Sequence, residues 1–242
     1  MDAINALQDN GEGGGEGNEF SPFKSGTTYT VRVLSTQDVV NAYVYGNYQN
    51  PKIHSFAAET PSKKSKKGYP VAEYTPFDLA WKYHKDLSED FQDEHGKAAS
   101  IYRPSSRFAM RFYDLDSGQP VIIDVSHNQA QSIYGVILKN EAKLDKKAFE
   151  IEKAGTSRST TVTASPIDLD DLTEEQRKNF DEAPAADELP SFADVFVTKT
   201  RDEQVDILRE VGFDVSLIGL DASGTGEAPA ADEEAEDPTD QF

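Results

Sequence analysis

Alternation is the first signal in the chain. From Gly26 to Leu34 (GTTYTVRVL), Tyr29, Val31 and Val33 fall on one face and Thr28, Thr30 and Arg32 on the other, the period of a half-buried strand. Val39 to Tyr45 and Lys52 to Ala57 are expected as further strands around a Gly46-Asn47 turn. Arg107 to Asp114 and Val121 to Val125 predict a hairpin across Asp116-Ser117-Gly118. Lys147 to Lys153 and Arg158 to Thr163 predict a second hairpin, closed by Ala154 to Ser157 with Gly155 in the turn.

Helix signals interrupt the strands. Thr75-Pro76-Phe77-Asp78 combines an N-cap, a proline at the first helical position and an acid in the first turn, so a helix is expected through Trp81, Tyr83 and Leu87 to about Glu94, stopped by Gly96. Ser126-His127-Asn128-Gln129 is a capping box opening a helix to about Lys139. Two more capping boxes begin at Thr173 and Thr200. Behind the second, Val205, Leu208 and Val211 form an apolar stripe ended by Gly212, a helix expected to dock on the strand core or on a partner. This order is mainly β with added helices. A five-stranded barrel of the oligonucleotide-binding (OB) type, with an inserted helix and an acidic helical C-terminal segment, fits it best; a β-sandwich is the alternative.

Composition narrows the class. The chain has 242 residues and 26.7 kDa, 37% hydrophobic and 28% charged, with no cysteine. No apolar run reaches the length of a membrane span, and disulfides and thiolate zinc sites are excluded. The N-terminus lacks a basic start and an apolar stretch, so the expected compartment is a reducing cytoplasm. The net charge of −20 argues against nucleic acid until it is located. Residues 1–23 carry five acids and no base, 24–163 nineteen bases against sixteen acids, and 164–242 five bases against twenty-three acids. The middle is mildly basic and the flanks hold the negative charge. Four regions are implied: a Gly/Glu leader, 1–19, without the apolar positions an ordered segment needs; a core, 20–166, with an insertion at about 57–100; an acidic helical segment, 167–220; and an acidic tail, 221–242, expected to be unfolded alone. A Pro/Ala/Asp/Glu stretch from Asp181 to Pro190 has the composition of a linker.

The segment Tyr102-Arg103-Pro104-Ser105-Ser106-Arg107-Phe108-Ala109-Met110-Arg111-Phe112-Tyr113 carries the clearest candidate chemistry. Alternation puts Phe108, Met110 and Phe112 on one face and Arg107, Arg111 and Tyr113 on the other. Guanidinium groups beside an aromatic suit single-stranded nucleic acid, contacting phosphates and offering rings on which bases stack; the bland counterpart is a solvated face with cross-strand ion pairs. Tyr43, Tyr45 and Tyr48 lie within six positions, and Tyr43 and Tyr45 share a face. Lys63, Lys64, Lys66 and Lys67 sit in an expected loop followed by Tyr69, and Arg32, Lys52 and Arg158 extend the cationic set. Trp81 is expected to pack rather than stack on bases. The tail residues Asp232, Glu233, Glu234, Glu236, Asp237, Asp240 and Phe242 form a polyanion ending in an aromatic, suited to compete with nucleic acid and to recruit partner proteins. No general acid/base pair stands out, His54, His84, His95 and His127 lack metal-ligand spacing, and Gly11 to Gly17 lacks the Gly-Lys-Ser/Thr of a phosphate loop. No catalysis, metal or cofactor is expected.

The order Arg103-Pro104-x-x-Arg107-Phe108, the hairpin, the helix after Ser126, and Phe149-Glu150-Ile151-Glu152-Lys153-Ala154-Gly155 followed by Ser159-Thr160-Thr161-Val162 resembles the single-stranded DNA-binding (helix-destabilising) proteins of tailed bacteriophages. The likeness covers roughly Phe20 to Pro166 and the style of the tail. It implies an OB barrel, sequence-independent single-stranded DNA (ssDNA) binding in phage DNA replication, recombination and repair inside an infected bacterium, and tail-mediated recruitment of polymerase, helicase or primase, or recombinase. Arg103, Arg107 and Arg111 would line the DNA cleft. The best-known branch carries a zinc-stabilised subdomain where this chain has a cysteine-free insertion, so packing around Trp81 would have to replace the metal. The competing expectation, from another class, is a structural or interaction protein, a nucleic-acid mimic or virion component, that binds a basic protein partner.

Overall fold

The structure is a computed structural model and describes residues 20–46, 52–65, 68–156, 159–193 and 195–220. Its organising element is the ten-residue strand β6 (Ser105–Asp114). One edge of β6 pairs along most of its length with β7 (Gln119–Ser126). The other edge is shared: β2 (Val39–Tyr45) pairs with Ser105 to Met110, and β1 (Thr28–Arg32) with Tyr113 and Asp114. Beyond β1 lie β8 (Lys147–Ala154) and β9 (Thr161–Asp168); beyond β2 lie β3 (Phe56–Ala58) and the two-residue β10 (Thr198–Lys199). All neighbours run antiparallel except β10 against β3. Two short strands, β4 (Lys63–Lys64) and β5 (Pro70–Ala72), form a separate hairpin.

This mixed eight-stranded sheet is mainly β with added helices, as expected, but it is not closed into the expected five-stranded barrel. The run β7-β6-β1-β8-β9 has the five strands; among the described residues β7 and β9 do not pair. Helix α3 (His127–Lys139) contacts β6, β7 and β9 and drives Ala130, Ile133 and Ile137 into the core with Val31, Met110, Phe112, Ile123 and Phe149. A fully buried side chain of this kind contributes about 1.5–3 kcal/mol, so filling the space with a helix replaces what a closing ladder would supply. The helix starts where the capping box predicts: Gln129 Oε1 accepts from the Ser126 backbone N–H at 3.0 Å.

The region after β5 folds around a second core. Helix α1 (Pro76–Leu87) begins at the Thr75 cap but ends earlier than expected, and α2 (Glu94–Tyr102) follows. Gly96 is not a stop: it lies in the first turn of α2, where an added Cβ would come within 2.6 Å of the Asp90 carbonyl. Asp93 ends the intervening loop, accepting from the backbone N–H groups of Glu89, Asp90 and Gly96 at 2.8, 3.0 and 2.6 Å. Those hydrogen bonds, led by that of Gly96, hold its carboxyl well below the usual range. Phe77, Trp81, Ala99 and Tyr102 pack with Tyr45 and Phe56 and with Val205, Leu208 and Phe213 of the C-terminal segment. The cysteine-free insertion is therefore packed by aromatic and aliphatic side chains, with helix α5 (Arg201–Glu210) as its partner. The strand expected from Lys52 shrinks to Phe56–Ala58, and Lys52 lies in a turn.

The acidic segment up to Leu220 packs on the sheet and on the second core. Helix α4 (Glu174–Glu182) buries Phe180 against Leu115 and Ala148. The stretch with linker composition runs into an apolar strap that starts within it at Leu189; Leu189 and Val195 are buried, and Phe192 and Phe196 pack near Ala109 and Ile122 of β6 and β7. The N-terminal segment lies along the edge of β7, where Ser21 N–H donates to the Ile122 carbonyl at 2.7 Å. Among the described residues no helix is long and apolar enough to cross a membrane.

Candidate nucleic-acid interface

An open groove of about 890 Å³ lies where the end of α2, the start of β6, the β4-β5 hairpin and the first turn of α3 meet. Tyr43, Tyr69, Phe91, Arg103, Ser105 and His127 stand around it, with Ser106, Ser126 and Asn128 supplying further polar groups.

Local sequence explains the placement. Tyr102 anchors the end of α2 in the second core, and Arg103, at the C-cap with φ −66° and ψ 130°, is held extended because Pro104 follows. The chain turns there from helix into β6 and leaves Arg103 exposed. Its guanidinium carbon sits 5.1 Å from the centroid of Tyr69, and Nη2 donates to Tyr69 Oη at 3.2 Å. Tyr69 in turn stacks on buried Trp81, at 6.1 Å and 24°. Cation, phenol and indole thus form a layered wall with the indole innermost. Gly68, at φ +86°, lets the hairpin close against Tyr43: a Cβ there would lie 3.1 Å from Tyr43 Oη. Phe91 is 66% exposed, on the loop that Asp93 pins. Such a ring in water beside other aromatics offers a face to a planar ligand.

Of the fifteen core residues expected to bind nucleic acid, Tyr43, Tyr69 and Arg103 line this groove. Lys64 is close by, 5.0 Å from the Tyr43 ring centroid, but its ammonium is 3.2 Å from the buried carboxylate of Asp78. Burial lowers the Lys64 pKa and Asp78 opposes the shift. Lys63 pairs with Glu73 in an exposed contact, which contributes little.

Lys52 is exposed in a turn, and five other expected residues are engaged by neighbouring groups of the fold. Tyr45 shares the Tyr43 face but is a core residue, 5.4 Å from both Phe56 and Phe77 and donating to Asp78 at 2.8 Å. Burial and Asp78 push its hydroxyl pKa far up. Arg107 makes a bidentate pair with Asp124 at 2.8 and 2.7 Å. Arg111 pairs with Asp38, donates to the carbonyls of Ala186, Leu189 and Pro190, and lies 4.9 Å from the Phe192 ring centroid under the strap. Arg32 donates to the Phe180 carbonyl and sits 4.4 Å from that ring. Tyr113 donates to the Gly118 carbonyl at 2.8 Å. Of the face expected to be cationic and open, Arg32 and Arg111 are thus covered by the chain's own segment from α4 to Phe192, while Arg107 and Tyr113 are engaged by β7 and the hairpin turn. Tyr48, Lys66, Lys67, Arg158 and the tail residues Asp232 to Phe242 lie outside the described residues.

Sequence reading missed Phe91, Ser105, Ser106, His127 and Asn128. Phe91, set among Glu89, Asp90, Gln92 and Asp93, was findable as an apolar residue with no periodic partner. The serines and the α3 residues carry no such signal.

Away from the groove, His84 Nδ1 and His95 Nδ1 are 3.0 Å apart, and the His84 ring stacks on Tyr102 at 5.8 Å and 5°. No group of three metal-ligating side chains forms among the described residues. Burial, then the neighbouring His95, lowers the His84 pKa, with Glu94 opposing. The unfolded chain therefore takes up this proton first as pH falls, so the stability is present above about pH 6.5 and is lost as pH drops through the lower folded value. Thermal melts between about pH 7.5 and 5 should show a falling Tm, and His84→Phe, which keeps the stack, should flatten the slope. An unchanged slope in the variant would rule out His84 as its source.

Comparison with protein-family models, with curated proteins and with solved structures found no match to this chain.

Proposed function

We propose that the protein is a non-enzymatic, sequence-independent ssDNA-binding protein whose site is the groove around Tyr43, Tyr69, Phe91 and Arg103. The observation that carries the reading is that layered wall: an exposed guanidinium on an aromatic ring backed by Trp81, facing open space with further rings at its border. Bases of any sequence have a π-face, so rings in an open groove bind without reading sequence, and Arg103 supplies a phosphate or stacking contact. The resemblance stated from sequence extends this to coating ssDNA in phage replication, recombination and repair, with the acidic tail recruiting replication proteins and competing for the groove. On this reading the five-strand run β7-β6-β1-β8-β9 is an OB-type barrel held open by α3.

One observation favours the alternative, an interaction protein that binds a basic partner. Arg32, Arg107, Arg111 and Lys64 are matched by internal acceptors while the chain carries a net −20. The ssDNA reading therefore predicts a shallower salt dependence than the cation count alone suggests, because these four cations already have acceptors and release few counterions on binding. The test uses Trp81, the single tryptophan, whose indole backs Tyr69. Oligo-dT should change its emission saturably, duplex of equal length should not, and moderate salt should weaken binding only a few-fold. No response to oligo-dT, with filter binding also negative, would leave the interaction reading standing.

A further inference from the structure

A second groove, of about 450 Å³, lies on the opposite face of the β2-β6 ladder. Tyr43 and Ser106 pair across the ladder and face the first groove; Val44 and Ser105 are the next pair and line the second. Ser105 borders both, so the two grooves meet around the start of β6. The second is walled by Phe20 and Phe196, in edge-to-face contact at 5.3 Å, and by Val197, which is 60% exposed. The Arg107–Asp124 pair lies at its border, both side chains about one-third exposed.

This lining differs from the first in a way that identifies an occupant. Its arginine is already neutralised by a bidentate carboxylate, so a phosphate would gain little there and would meet the charge of Asp124. An unstacked base suits it: aromatic and aliphatic walls take the ring, and the partly exposed Arg107–Asp124 pair offers donor and acceptor atoms to its edge. Resting on the ssDNA reading of the first groove, we infer that a bound strand turns around the start of β6 and places a base in the second groove against Phe196.

The test compares oligo-dT of about four nucleotides with oligo-dT of about twelve, spanning the range of site sizes for such modules. The full-length protein and its Phe196→Ala and Phe196→Leu variants are titrated with both. The leucine variant keeps apolar bulk and removes only the π-face, so it guards against loss of the strap. Both variants should weaken binding of the longer oligomer about tenfold and leave the shorter unchanged. Affinity for the longer oligomer unchanged in both variants, or an equal loss for both oligomers, would overturn the second subsite while leaving the first groove's function in place. Failure of the unmodified protein to bind either oligomer would instead remove the ssDNA reading, and this inference with it.

Discussion

Asp78→Ala is expected to destabilise the protein by about 3–5 kcal/mol, read as a drop in urea midpoint. Asp78 is fully buried at the start of α1 and is the acceptor that ties three elements together: Tyr45 Oη from β2, Ser62 Oγ ahead of β4, and Lys64 Nζ in β4. The Lys64 side chain is 9% exposed, so removing its partner leaves a buried ammonium. The folded state answers by releasing that proton, since burial already lowers the Lys64 pKa. The sign follows: below the unfolded value of about 10.4 the unfolded chain binds the proton and the folded variant does not, so the variant regains stability as pH rises toward that value. Lys64→Met combined with Asp78→Leu should be far milder than Asp78→Ala, because it removes both charges and keeps the volume. A single variant as stable as the parent, or a double variant no better than the single, would show that the pair does not hold the hairpin to the helix. The groove depends on this latch, since Tyr69 lies between the two strands of that hairpin.

How far the sequence reaches is visible in the two faces of β6. Period-two alternation correctly separates Met110 and Phe112 from Arg107 and Arg111, but it says nothing about which face another segment covers. The covering segment, Leu189 to Val197, sits in a region read by composition, although its Leu-Pro-Ser-Phe-Ala-Asp-Val-Phe-Val carries five large apolar residues. Local signals did better. The capping boxes at Ser126, Thr173 and Thr200 open helices where expected, because a cap is decided within four residues. Gly96 misled for the opposite reason: a glycine serves equally as a helix stop or as room for a neighbouring backbone, and the choice depends on the Asp90 to Asp93 loop folding back on α2. The barrel was a topological expectation, and a helix of ordinary amphipathic pattern gave no sign that it would occupy the space between β7 and β9. In the groove, Tyr43, Tyr69 and Arg103 were legible as aromatic and cationic residues near strands, whereas the polar residues from β6 and α3 are brought there by tertiary contact alone.

The same distinction separates two arginines eight positions apart. Arg103→Ala together with Tyr69→Leu should lower ssDNA affinity roughly a hundredfold, since a stacked base contributes about 1–3 kcal/mol and the variant removes both the guanidinium that forms the outer layer of the wall and the ring that holds it. The folded state should barely notice the loss of Arg103, which is exposed, and the leucine that replaces Tyr69 keeps an apolar side chain against Trp81. Arg111→Ala should do the reverse. Its side chain is 11% exposed and its partner Asp38 only 7%, so the variant leaves a buried carboxylate and frees the carbonyls of Ala186, Leu189 and Pro190, at a cost of about 3–5 kcal/mol. Where that variant still folds, the affinity of its folded fraction for oligo-dT should match the parent. Arg111→Ala binding oligo-dT poorly at full stability would mean that the strap lifts and the arginine face of β6 is the true track. Arg103→Ala with Tyr69→Leu binding normally would withdraw the groove, because the layered wall is the observation on which that reading stands.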